Sequence, residues 1–261
     1  METQTAAPSP GIPAAPVDEH PTRRWAWRRL LLVSGVLTLL LMIASMVFTG
    51  PDPIFIGMAV LVLAGLVLTR WKMRLGALLI LLPSLAILAF GVPQVIFVVA
   101  NPIAVADVSG GVLFVLTVVA AINVVAVVAT LCAGFLSPMR SPRGPLVASV
   151  LAVVLVVAVA ALGAAARLGF TNAAATSGDT RLEMKDFKFS SESLDSNQTA
   201  NVYLANSDPT AHTFTIDGVV NNTVPANSNA RVTMNLRPGQ YHYYCAVPGH
   251  SQTMHGTITV H

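Results

Sequence analysis

Close to the C-terminus the chain reads Tyr241-His242-Tyr243-Tyr244-Cys245-Ala246-Val247-Pro248-Gly249-His250-Ser251-Gln252-Thr253-Met254. Cys245, His250 and Met254 stand on either side of a Pro-Gly turn. A chain that leaves one strand, turns and enters another can bring three such side chains to one point. A second histidine, His212, shares the in-facing parity of Phe214 and Ile216. Two imidazoles and a thiolate, with a more distant thioether, make the trigonal site that suits copper as both Cu(I) and Cu(II). One cysteine cannot make a two-copper thiolate-bridged centre, so the expected site is a single copper ion held by His212, Cys245, His250 and Met254. Taken singly, Cys245 and Met254 read as core filling and His212 as a hydrogen-bonded core histidine; the inference rests on all four together. His242 and His255 have the opposite parity to Cys245 and Met254 and are expected to face solvent.

The elements that must position these side chains are strands. Apolar residues alternate with a period of two at Val202 and Leu204, at His212, Phe214 and Ile216, at Val232, Met234 and Leu236, and at Tyr241, Tyr243 and Cys245. Turn signals separate them, among them Ser207-Asp208-Pro209, Asp217-Gly218 and Pro238-Gly239. Many short strands in so few residues predict an all-β sandwich. The second cysteine, Cys132, lies inside an apolar run, so a disulfide scaffold is excluded.

The run Cys245-x4-His250-x3-Met254, followed by His255-Gly256-Thr257-Ile258-Thr259-Val260, resembles the ligand loop of cupredoxins, the blue copper proteins, and is most similar to the azurin and auracyanin type. Gly239-x-Tyr241-x-Tyr243-x-Cys245 is similar to the strand leading to the copper cysteine in plastocyanin-like domains. The resemblance covers about residues 181–261. It implies a Greek-key sandwich with His212, Cys245 and His250 as equatorial ligands and Met254 as a weak axial one. It also implies that His250 is the ligand nearest the surface and that Val247 and Pro248 help to form an apolar docking patch. The sequence departs from the family at Thr213, where many members have Asn, and at Ala246, where several have a hydroxyl residue. Those positions help to brace the ligand loop.

The rest of the chain is of another kind. Charged residues make up only 10% of it, against about 25% in an ordinary globular domain. The apolar excess lies between Leu30 and Leu168. Runs at about residues 30–49, 54–69, 75–91, 112–135 and 146–168 predict five transmembrane helices, the first too long for a signal-peptide core and followed by no cleavage motif. Residues 92–106, interrupted by Pro93, Gln94, Asn101 and Pro102, are expected to form an outer loop or interfacial segment. The expected division is a disordered tail with a basic cluster at 1–29, a helical membrane domain at 30–169, a linker at 170–180 and the copper domain at 181–261. His20 falls in that tail and His261 ends the chain, so neither is a candidate ligand.

Nine of the 15 Lys and Arg residues lie in the basic cluster or in the connections containing Arg70, Lys72, Arg74, Arg140 and Arg143; the alternate connections carry Asp52 and Asp107 and no cation. That alternation predicts a multi-pass protein of the cytoplasmic membrane, with its N-terminus in the cytoplasm and its copper domain outside. The same distribution excludes a nucleic-acid partner, because residues 170–261 carry a net charge of −2. No histidine occurs in the predicted spans, so a bis-histidine haem has no ligands there. Met42, Met46 and Met58 form no obvious metal relay, Asn123 is read as helix-packing glue, and Asp107, near the outer face, is expected to be solvated at the interface.

The expected function is that of a carrier and not an enzyme. It passes single electrons between membrane or periplasmic redox proteins, with the bilayer as its anchor. A copper-handling or copper-sensing protein without an electron shuttle is the alternative, and a metal-free adhesion-type sandwich the blandest one. A multicopper oxidase or nitrite reductase needs further histidines and normally a second such domain, and the sequence has neither.

Overall fold

In the computed structural model, residues 20–132 and 143–261 are described, so residues 1–19 of the tail expected at 1–29, and residues 133–142 with Arg140, fall outside the described residues. Among the described residues the chain forms five α-helices and then nine strands. The helices are α1 (His20–Thr49), α2 (Pro53–Leu68), α3 (Met73–Ala100), α4 (Val108–Cys132) and α5 (Gly144–Leu168), with a short 3-10 turn at Pro102–Ala106 between α3 and α4. Four of them are long and apolar enough to cross a membrane. The fifth, α2, has 16 residues and is about 24 Å long. Exposed apolar surface is plainest on α5, which carries Leu146, Val150, Leu151 and Val153.

Two expectations for this region are corrected. Helix α1 starts at His20, ten residues before the apolar run, because Pro21 sits in the first turn, where its missing N–H costs nothing. Residues 92–100 form no loop: α3 runs on through Pro83 and Pro93 to Ala100. Proline removes one N–H from the helix ladder, a defect that membrane helices tolerate when neighbours pack around it. The extension lengthens α3 and adds no separate helix. At 28 residues α3 is about 42 Å long, longer than a hydrocarbon core of about 30 Å requires.

Most of the basic residues gather at one end of the bundle, Arg167 in the last turn of α5 being the exception. Arg28 Nη2 donates to the Thr69 carbonyl at 3.4 Å, and Gly144 lies against the Trp27 ring, so the start of α1, the end of α2 and the start of α5 share one end of the bundle. That end carries Arg28, Arg70, Lys72, Arg74 and Arg143, while the strands follow from the opposite end of α5. Inside the bundle, Asn123 Nδ2 donates to Thr38 Oγ1 at 2.8 Å and to Ser84 Oγ at 3.2 Å, linking α4 to α1 and α3.

The strands are β1 (Thr180–Lys185), β2 (Lys188–Phe189), β3 (Ser193–Ser196), β4 (Thr199–Asn206), β5 (His212–Ile216), β6 (Val220–Val224), β7 (Ser228–Asn235), β8 (Gly239–Tyr244) and β9 (His255–Val260). They make one sheet of order β2-β1-β4-β7 and another of order β3-β9-β8-β5-β6. β1 lies parallel to β4 and β3 parallel to β9; the other pairs are antiparallel. The inner faces bury Leu182, Leu204, Phe214, Val232, Tyr243 and Ile258 in one core, as the period-two alternation requires.

Candidate metal centre

Three elements meet at one end of the sandwich. β5 opens with His212, which is fully buried; β8 ends one residue before the buried Cys245; β9 begins one residue after the buried Met254. The intervening loop is tied to itself. The Cys245 N–H donates to the Met254 carbonyl at 2.9 Å, and the His250 carbonyl accepts from the N–H groups of Thr253 at 3.0 Å and Met254 at 2.9 Å. The His250 N–H donates to the Val247 carbonyl at 3.0 Å, closing a turn with Pro248 and Gly249 at its centre. Gly249 has φ +87°, the value a type II turn requires at its third position and one a side chain would oppose.

Among the described residues, the one group of three or more His, Cys, Asp or Glu side chains poised for a metal is His212, Cys245 and His250. Their Nδ1 atoms lie 3.1 Å apart, and Cys245 Sγ lies 3.9 Å from His212 Nδ1 and 3.6 Å from His250 Nδ1. The point equidistant from atoms so spaced is about 2.1 Å from each, close to the bond lengths of a first-row transition metal to nitrogen and sulfur. The donor set is also chemically apt, two imidazoles and one soft sulfur. Met254 is fully buried beside Cys245, joined to it through the backbone bond already described.

The surroundings hold the donors in the state a cation needs. His212 Nε2 lies 2.7 Å from Asp208 Oδ2, a contact that keeps the proton on Nε2 and leaves the Nδ1 lone pair facing the site. Burial lowers the His212 pKa, against the pull of Asp208, and burial together with the His212 charge lowers that of His250 to about 4, so both rings are neutral at pH 7. Burial pushes the Cys245 thiol up, so a cation must displace its proton to bind the sulfur. The Thr213 N–H donates to Cys245 Sγ at 3.3 Å, and Thr213 Oγ1 accepts from the Ala246 N–H at 2.6 Å. Threonine thus makes the brace expected of asparagine, and Ala246 contributes through its backbone.

Asp208 and Phe187 touch the candidate ligand histidines, and the sequence alone does not single out either. Burial would raise the Asp208 pKa, but N–H donors from Phe187 and Asp186 and the His212 contact hold it below the usual carboxylate range. Those donors lie 3.1 Å and 2.8 Å from its oxygens. Asp186 and Phe187 form the turn between β1 and β2 with φ values of +53° and +56°, a strained choice for a phenylalanine. The Phe187 ring meets both imidazoles edge-on, 5.7 Å from His212 and 5.0 Å from His250 between centroids, while remaining 45% exposed itself. An Asp four residues before a candidate ligand histidine was the available signal for the first. Nothing in residue types signals the second.

His242, His255 and His261 are exposed, whereas His250 is half-buried. The expected apolar patch is corrected. Val247 is 7% exposed, within the core, and the Pro248 carbonyl accepts from Gln94 Nε2 of α3 at 2.9 Å. Asp107, expected to be solvated, is buried and accepts from the Ala226 N–H at 3.3 Å.

Residues 152–260 match the family model of the cupredoxin-like domain. No curated protein matches the chain. Among solved structures, a reduced amicyanin variant is similar at 17% identity and TM-score 0.30, over 33% of this chain and 86% of that one. An oxidised amicyanin variant is similar at 18% identity and TM-score 0.31, over 35% of this chain and 90% of that one. The Cu(I) form of a third amicyanin variant gives the same identity, score and coverage. The family-model match gives the C-terminal domain a cupredoxin fold, which indicates a copper cofactor, and the domain follows a set of apolar helices that fit a membrane anchor.

Proposed function

We propose that this chain is a membrane-anchored type 1 copper protein that carries single electrons between redox partners at the extracytoplasmic face of the cell membrane. His212, Cys245 and His250 are the equatorial ligands and Met254 the weak axial one. The observation that carries this reading is the triangle of His212 Nδ1, His250 Nδ1 and Cys245 Sγ, whose centre is one metal bond length from all three.

Copper bound there supplies a one-electron Cu(I)/Cu(II) couple. The protein's part is to keep the donors still, since a site that fits both oxidation states needs little rearrangement on electron transfer. Asp208 fixes the His212 ring, Thr213 holds the sulfur and the following amide, and the loop's own backbone bonds hold His250. His250, the half-buried ligand, is the point of electron entry. The gathering of Arg28, Arg70, Lys72, Arg74 and Arg143 at the far end of the bundle supports a cytoplasmic location for that end and an outside location for the copper domain.

The test is the optical and EPR spectrum of the full chain loaded with Cu(II), before and after Cys245→Ser, with potentiometry on the unmodified protein. An intense thiolate-to-copper band that disappears in the variant, and a reversible one-electron wave, are expected. A band that survives Cys245→Ser overturns the ligand set, and a site stable only with Cu(I) replaces the carrier with a copper-handling protein.

A further inference from the structure

The face of the β domain that meets the helices is the face that holds the proposed ligands. Ala211, next to His212, packs with Val98, Ala104, Val105, Phe114 and Val159 from the helical region. Thr223 Oγ1, on β6, donates to Asn101 Oδ1 at 3.0 Å, and the Ala226 N–H meets Asp107. One bond reaches the ligand loop itself, from Gln94 Nε2 to the Pro248 carbonyl at 2.9 Å. Pro248 lies in the loop that joins Cys245 to His250.

We infer that Gln94, on the membrane helix α3, is a positioning residue for the metal centre, holding the Pro248–Gly249 peptide in the one orientation that aims His250 at the site. This inference rests on the copper reading above. The turn from Val247 to His250 has proline second and glycine third, with Gly249 at φ +87°. Its soft motions are rotation of the peptide between those two residues, which turns the Pro248 carbonyl to the other side, and opening of the turn at the His250 N–H. Pro248 is fixed in φ by its ring and Gly249 has no Cβ to resist, so the turn's own residues leave that rotation open. An amide donor mounted on a helix, aimed at the carbonyl in its type II position, removes that freedom. The continuation of α3 beyond Pro93 carries the donor to that carbonyl, which gives a multi-helix domain a task that a single anchoring helix would not meet.

The experiment compares full-length Gln94→Leu, Gln94→Glu and Gln94→Lys with Asn101→Ala, which removes a contact between the domains that does not touch the loop. Two quantities are read: amide hydrogen exchange at His250 in the metal-free protein, and the rate of copper loss to a chelator in the loaded one. Losing one hydrogen bond predicts about a threefold to tenfold rise in both for the Leu and Glu variants. Lys, which keeps an N–H donor of similar reach, is expected to restore values close to those of the unmodified protein, and Asn101→Ala to leave them unchanged. Equal rates in all variants overturn the inference, and so does an Asn101→Ala effect as large as that of Gln94→Leu, which would make the contact a general tether. If the unmodified chain shows no thiolate-to-copper band, the copper reading fails, while amide exchange at His250 still decides whether Gln94 holds the loop.

Discussion

The ligand end of the sandwich and the middle of the helical bundle hold their central buried polar side chain in different ways. At the copper end of the sandwich, the Asp208 carboxylate is held by two backbone N–H groups and one imidazole, and Thr213 binds the sulfur with its amide and the next residue with its hydroxyl. In the helical bundle, Asn123 donates to two hydroxyls, yet its Oδ1 has no partner among the described residues. A carboxylate satisfied from three directions cannot move without losing several bonds at once. An amide satisfied on one side binds helices together but fixes no geometry. The difference marks the first region as preorganised for a ligand and the second as packing.

The largest break in that contrast is Asp208→Ala. It leaves the Asp186 and Phe187 N–H groups and the His212 Nε2 proton without their acceptor. We expect a loss of about 3 kcal/mol from the β domain, since hydrogen bonds to a charged group contribute about 1.5–3 kcal/mol each and water recovers part of the loss. Denaturant unfolding followed by near-UV circular dichroism of the tyrosines, all four of which lie in the β domain, measures it. A change below about 1 kcal/mol would remove the carboxylate from its central place.

The boundary between the halves carries the next effect. Burial raises the Asp107 pKa from 3.8 to about 6, against the lowering by Ala226, Arg167 and Ala211. The docked state therefore binds a proton more readily than the undocked one. Its stability is greatest below about pH 4, falls as pH rises through about 6 and is level above that, a loss of about 2 kcal/mol once residual solvent access is counted. Asp107→Asn removes this dependence and docks the β domain more tightly at pH 7.5. Exchange of the Ala226 amide at pH 4.5 and pH 7.5 reads the change. An unmodified protein with the same protection at both values contradicts it.

Within the bundle the expected effect is smaller. Asn123→Leu removes two hydrogen bonds and also one unsatisfied oxygen, so the net change in helix stability is under about 1 kcal/mol, in line with polar contacts between membrane helices. A thermal melt of helical ellipticity in detergent checks it. A drop several times larger would give Asn123 the structural weight now assigned to Asp208.

What the sequence made legible follows the same division. The Cys245, His250 and Met254 spacing and the strand alternation are local signals, and local signals survive into three dimensions when one face must be buried. Pro93, Asn101 and Pro102 read as breakers of an outer loop, and α3 ran through the first of them because a proline inside a packed membrane helix forfeits only one donor. Asp208 read as part of a turn and Asp107 as solvated. In both cases the role depends on what packs against the residue, and spacing carries no information about that.

Phe187 is the least legible residue near the site, and its substitution tests the contrast most finely. Its left-handed backbone costs on the order of 1 kcal/mol, and its ring returns a similar amount through edge contacts to His212 and His250. Phe187→Asn relieves the strain, since asparagine tolerates that region, but loses the ring, so its stability should lie within about 0.5 kcal/mol of the original. Phe187→Ala loses the ring and keeps the strain, and should fall by about 1 kcal/mol. The gap between the two variants reads the strain directly. If they unfold together, the turn is unstrained and the Asp208 bonds to its two amides are local turn chemistry. If alanine alone falls, the carboxylate that orients His212 also holds an unfavourable turn in place so that an aromatic ring covers both imidazoles.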